Sequence, residues 1–156
     1  MTNIPSRPEL ATLEAHLGYW LRFVSNQVSH AFGLKLAGRG VTVAEWVVLR
    51  ELYDAETCVP SALADRLGMT RGAISKLADR LEAKGLAARR ADTDDRRFQT
   101  LTLSAGGRAL VPELAALADA NDADFFGHLD PADRVRLEAV LRDIVRRKGL
   151  KAVPVD

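Results

Sequence analysis

"GMTRGAISKLADRLEAKG", residues 68 to 85, decides how the chain is read. Thr70 stands where a helix N-cap belongs, and Gly68 and Gly85 punctuate the two ends. Ile74, Leu77, Ala78 and Leu81 recur at helical spacing and predict one apolar face. The opposite side breaks the usual rules in one direction. Arg71 puts a cation at the positive end of the helix dipole. Lys76, Arg80 and Lys84 follow at steps of four, stacking like charges. Gly72 sits in the first turn at a propensity cost of about 1 kcal/mol against alanine. These choices make sense if an anion approaches the N-terminal end. Free N–H groups there bind phosphate, Gly72 removes bulk, and the cations pair with phosphates. Thr70, Arg71, Gly72, Ser75, Lys76 and Arg80 are therefore the candidate nucleic-acid-binding residues of this helix. The competing reading is an ordinary solvated helix face.

Upstream, "PSALADRLG" reads as a short helix with Pro60 in its first turn and Gly68 as its stop. Joined through "GMT", the two helices form a helix-turn-helix. Before them, "ETCV" has the length of a minimal strand. Thr42 with Glu45 has capping-box spacing for a helix over roughly 43–54, which buries some combination of Trp46, Val47, Leu49 and Leu52. Residues 9 to 36 predict one long helix, with Leu13, Leu17, Leu21, Val24, Val28 and Phe32 on one line and Tyr19, Trp20 and Phe23 off it. A helix apolar on two sides needs cover on two sides, and a partner subunit is the natural second cover.

Downstream, "LAARR" and "RFQTLTLS" are joined through "ADTDD" and predict a hairpin, with Leu101 and Leu103 alternating with Thr100 and Thr102. A helix-turn-helix followed by a hairpin is a winged helix. At the wing, an arginine offered to a narrow minor groove gains from its negative potential, provided it is aimed. Asp95 and Arg97 are the candidate aimed pair. Arg96 and Arg90 are candidates for phosphates. Ser104 then caps a helix running to about Gly127, with Pro112 as an expected kink. Asp130-Pro131 opens a last helix whose apolar stripe is Leu137, Leu141, Ile144 and Val145.

Composition bounds the function. The 156 residues are 47% hydrophobic and 28% charged, with a formal net charge of +1, which argues against a generic polyanion binder. The charge is unevenly placed. Residues 41–70 carry Arg50 and Arg66 against Glu45, Glu51, Asp54, Glu56 and Asp65, a net of −3. Residues 71–98 carry Arg71, Lys76, Arg80, Lys84, Arg89, Arg90, Arg96 and Arg97 against Asp79, Glu82, Asp92, Asp94 and Asp95, a net of +3. No apolar run approaches the roughly 18 residues a membrane helix needs. The polar opening "MTNIPSRPEL" does not read as a secretory signal, and a cytoplasmic location is expected.

"DRRFQTLTLSAGG", residues 95–107, resembles the D-x-R-x-x-x-L-x-L-T-x-x-G wing signature of the multiple-antibiotic-resistance regulator (MarR) family. Asp95, Arg97, Leu101, Leu103 and Gly107 match it, and Ser104 stands for the usual threonine. "LADRLGMTRGAISKLADRLEAKGL" is similar to the family's helix-turn-helix, and the order of elements resembles the family over about residues 10–148. The resemblance implies a mainly α fold, a winged helix-turn-helix with a small β-hairpin wing, flanked by long N- and C-terminal dimerisation helices. The expected division is residues 1–38 for the N-terminal dimerisation helix, 39–104 for the DNA-binding domain and 105–156 for the C-terminal dimerisation helices. The implied function is a homodimeric transcription regulator on a near-palindromic operator in double-stranded DNA. Such regulators are commonly repressors released by a small ligand, often an aromatic acid.

Other chemistries are weaker. No Ser-His-Asp arrangement or Gly-rich phosphate loop is present, so no enzyme and no cofactor is expected. His16, His30 and His128 lack metal-ligand spacing. Cys58 is the only cysteine, which excludes an internal disulfide; a redox-sensing regulator is the alternative to a buried structural thiol. His16, Tyr19, Trp20, Phe23 and Trp46 are candidates for a ligand pocket, against a reading as core and interface residues. A winged helix used only for protein–protein contact is the rival to DNA binding.

Overall fold

The computed structural model describes residues 8–91 and 99–151. Four of its helices start where a short polar side chain closes them. Thr42 accepts the Glu45 N–H at 3.2 Å and Glu45 accepts the Thr42 N–H at 3.0 Å, completing the expected capping box of α2 (Val43–Ala55). Thr70 accepts the Ala73 N–H at 3.1 Å and opens α4 (Arg71–Ala83). Ser104 accepts the Gly107 N–H at 3.0 Å and opens α5 (Ala105–Phe126). Asp130 accepts the Asp133 N–H at 2.9 Å and opens α6 (Pro131–Lys148). Between α2 and α4 lies α3 (Pro60–Leu67), stopped by Gly68 in the left-handed region at φ 65°. That conformation turns the chain into α4 and is one a side chain resists.

The first helix differs from expectation. α1 spans Leu17–Ala37 instead of beginning near residue 9. His16 is extended, and its Nδ1 lies 3.1 Å from the Thr12 carbonyl. Leu13–Ala15 form a separate 3₁₀ turn, held by the Trp20 indole donating to the Glu14 carbonyl at 2.9 Å. The side chains of His16 and Trp20 thus satisfy backbone carbonyls on the folded-back segment. α5 runs as one helix through Pro112, which is exposed to solvent.

The hairpin is part of a three-stranded antiparallel sheet. β1 (Thr57–Cys58) pairs with β3 (Gln99–Leu103), and β3 pairs with β2 (Ala87–Ala91), in the order β1-β3-β2. Cys58 faces Leu101 across the first pair, and Ala87 faces Leu103 across the second. Leu101, Cys58 and Ala87 are buried.

The core lies in the winged helix and in the parts of α1 and α5 that touch it. Leu49, Leu52, Leu63, Ile74, Leu81, Leu101 and Leu114 are fully enclosed. α2 points Val48, Leu49 and Leu52 inward and leaves Trp46 and Val47 half-buried. α1 buries only Leu36, and α6 buries nothing. Leu13 and Leu17 are 74% and 81% exposed, and Leu137, Leu141 and Ile144 stand open on α6. Apolar surface on that scale marks an interaction face.

Gly107 sits where the first turn of α5 crosses the chain leaving α4. A Cβ there would lie 2.0 Å from the Leu86 carbonyl oxygen, which also accepts the Ser104 N–H at 3.0 Å. Among the described residues, no helix is long and apolar enough to cross a membrane.

Candidate nucleic-acid interface

α4 presents the two faces its sequence implies. Ile74, Leu77, Ala78 and Leu81 are buried, while Thr70, Arg71, Gly72, Ser75, Lys76 and Arg80 are exposed. A Cβ on Gly72 would meet no described residue within 4 Å, so none of the described residues requires glycine there. Beside this face a cleft of about 400 Å³ opens at the helix-turn-helix elbow. Ala44, Met69, Ala73 and Leu77 line its floor, and Lys76 and Arg80 its rim.

The structure sorts the basic segment into two kinds of cation. Lys84 is the first correction, because the stacked series at 76, 80 and 84 does not continue to its end. Its ammonium donates to Glu45 at 2.7 Å and to the Gly40 carbonyl at 2.7 Å. Glu45 is 1% exposed, so the pair ties the end of α4 to the start of α2 and to the turn after α1. An expected phosphate-binding lysine is therefore a structural one.

Arg89 is the second such cation. Its guanidinium donates to Asp79 at 2.5 Å, to Glu82 at 2.8 Å and to the Ser75 carbonyl at 3.0 Å. The hydrogen bond it donates to Asp79, reinforced by the charge of Glu82, holds the guanidinium above its ordinary pKa. Asp79, on the exposed side of α4, is thus occupied. Arg71, Lys76 and Arg80 form no ion pair with any described residue. Arg90 is exposed on β2, opposite Thr100. Asp95, Arg96 and Arg97 lie outside the described residues.

The role of Arg89 had a readable signal. Alternation along β2 puts it on the same side as buried Ala87, and an inward arginine needs a carboxylate. Asp79 and Glu82, three apart on the preceding helix, are that answer.

The residues expected to form a ligand pocket do not meet as one group. Tyr19 packs edge-on against Trp20 with ring centroids 5.2 Å apart, and Phe23 lies 6.2 Å from Tyr19. Trp46 instead packs edge-on against Phe32 at 6.2 Å. The helical rise places Phe32 roughly 13 Å along α1 from Phe23. His16 precedes the first turn of α1, with its ring against the Thr12 carbonyl. Cys58 is buried in β1, with its thiol 3.5 Å from the Val59 carbonyl. Among the described residues, no three His, Cys, Asp or Glu side chains are grouped to hold a metal ion.

The MarR family model matches residues 39–97, the segment from the turn after α1 to the wing. The chain belongs to the MarR family. The HTH-type transcriptional repressor Rv2887 of Mycobacterium tuberculosis is 29% identical over 131 residues, 84% of this chain and 94% of that protein. The HTH-type transcriptional repressor YetL of Bacillus subtilis is 32% identical over 92 residues, 58% of this chain and 55% of its own length. Among solved structures, BpsR of Bordetella bronchiseptica superposes with a TM-score of 0.77 at 29% identity, covering 87% of this chain and 97% of BpsR. That structure concerns regulation of BpsR's DNA binding by 6-hydroxynicotinic acid. A MarR-family winged helix accounts for the mainly helical chain with its small antiparallel sheet.

Proposed function

We propose that this MarR-family protein is a homodimeric, sequence-specific repressor that places α4 in the major groove of double-stranded DNA and its wing in the neighbouring minor groove. The observation that carries the reading is the face of α4. Arg71, Lys76 and Arg80 are left exposed and without described ion-pair partners, while Lys84 and Arg89 beside them are held by carboxylates. Thr70, Gly72 and Ser75 share that face, and Arg90, Arg96 and Arg97 serve the wing, with Asp95 aiming Arg97.

The test is selection of duplexes from a random library by the full-length protein, followed by a salt titration. Phosphate contacts release counterions, so affinity should fall steeply with salt. Lys76→Ala should weaken all sequences alike and reduce the salt slope by about one. Binding that ignores salt, or a slope unchanged by this substitution, would count against the interface.

We assign residues 1–38 and 105–156 to dimerisation and 39–104 to DNA binding. The support is the exposed apolar surface of α1 and α6, which the chain itself leaves uncovered. Sedimentation equilibrium at micromolar concentration should give a dimer. A well-folded monomer would remove this part of the proposal.

The proposed effector is a small planar aromatic acid, a reading favoured by the 6-hydroxynicotinic acid control of BpsR. Such acids should release selected duplexes, and by linkage the duplex should weaken acid binding by the same factor.

A further inference from the structure

Resting on the DNA-binding reading above, the molecule has to hold two contacts at one spacing, α4 in one groove and the wing in the next. The covalent link between them is short. Three residues, Lys84 to Leu86, separate α4 from β2, and Gly85 turns the chain at φ 70°. That turn, with buried Ala87 and Leu101 and the pairing of β3 with β1, holds the root of the wing and leaves the outer part of β2 to be aimed.

Arg89 supplies the second point. It stands three residues into β2, yet it reaches back along two turns of α4. Its Nη1 contacts Asp79 at 2.5 Å and Glu82 at 2.8 Å. Its Nη2 donates to the Ser75 carbonyl at 3.0 Å and lies 3.4 Å from the Ser75 hydroxyl. Its backbone N–H donates to the second oxygen of Glu82 at 2.9 Å. The side chain is only 21% exposed. A lone surface ion pair contributes little, but a planar fork shared among two carboxylates and a carbonyl fixes geometry as well as charge.

Asp79 adds a second reason. Its side chain is 65% exposed and lies on the helix that carries Lys76 and Arg80. An unanswered carboxylate there would repel phosphate.

The geometry points to Arg89 as a positioning residue of DNA recognition: it sets the angle between α4 and the wing and neutralises Asp79, without itself touching DNA.

The probes are the duplexes the parent protein selects and a random duplex, measured at the same salt, with folding checked by circular dichroism. Arg89→Ala should lower the ratio of selected to random affinity by about tenfold, the scale of a lost charged hydrogen bond. Arg89→Lys keeps the charge without the fork and should lose the ratio too. The pair Asp79→Asn and Glu82→Gln, made together, raises the net charge by two. Electrostatics alone then predicts tighter binding to both probes. The positioning role predicts a lower ratio, because the fork has lost both carboxylates. That double variant carries the test if Arg89→Ala does not fold. If the parent selects duplexes and the double variant and Arg89→Lys keep its ratio, the positioning role is wrong and DNA binding stands. If the parent selects no duplex, the DNA-binding reading fails and the positioning role falls with it.

Discussion

Gly107→Ala should destabilise the protein by about 3 kcal/mol, the upper end of overpacking costs. The new Cβ would sit 2.0 Å from the Leu86 carbonyl oxygen, and both partners of the collision are backbone. Moving Leu86 away also strains its bond from Ser104, so the start of α5 and the root of the wing shift together. The neighbouring glycine provides the control. A Cβ on Gly106 would meet the Gly85 carbonyl at 3.6 Å and the Ser104 hydroxyl at 3.7 Å, ordinary contact distances. Gly106→Ala should therefore be neutral or stabilising by up to about 1 kcal/mol through helix propensity. Thermal melts of the two single variants check this. Equal effects of the two substitutions would mean that the close approach at Gly107 is not the constraint.

Lys84→Ala should cost about 3 kcal/mol, because it leaves the enclosed Glu45 carboxylate with the Thr42 N–H as its remaining partner. For a chain of this length that is a fall in melting temperature of roughly 6–12 °C. Glu45→Gln should cost less. Glutamine still accepts a hydrogen bond at that position, and Lys84, at 38% exposure, can recover water. DNA binding gives an independent check at a temperature where the variant is folded. The salt slope should stay that of the parent, whereas Lys76→Ala lowers it. A slope reduced by Lys84→Ala with an unchanged melting temperature would return Lys84 to the phosphate-facing set.

The contrast between these two lysines shows where the sequence can be read and where it cannot. Local chemistry was legible. Thr42, Thr70, Ser104 and Asp130 cap the helices they were expected to cap, because a cap is closed by a neighbour three residues on. The apolar face of α4 follows in the same way from its period, and in β3 Leu101 is buried as expected while Leu103 is only half-buried. Pairings across the fold were not legible. Lys84 meets Glu45 39 positions away, and helical spacing alone placed it in line with Lys76 and Arg80. The start of α1 is not legible because leucine periodicity continues through Leu13, while His16 and Trp20 spend their polar atoms on carbonyls of a folded-back turn. The aromatic residues were grouped by type. Trp46 pairs with Phe32 because α2 packs along the later part of α1, away from Tyr19 and Phe23.

α6 has a consequence for the lifetime of the protein. Every one of its residues but Asp143 is exposed, and its ion pairs, such as Arg142 with Glu138 and Arg147 with Asp143, run along its own surface. Its tie to α5 includes the Arg134–Asp122 pair at 2.8 Å beside a shallow apolar hollow. Pairs of that kind stabilise a helix by only about 0.2–0.5 kcal/mol each. If a second copy covers this surface, as proposed above, integrity becomes a matter of mass action, and resistance to unfolding rises with protein concentration. A newly made chain at low copy number would meet proteases with its last helix weakly held, and degradation tracks the population of such open forms. Dilution would then act twice, emptying DNA sites and shortening the survival of the chains that leave them.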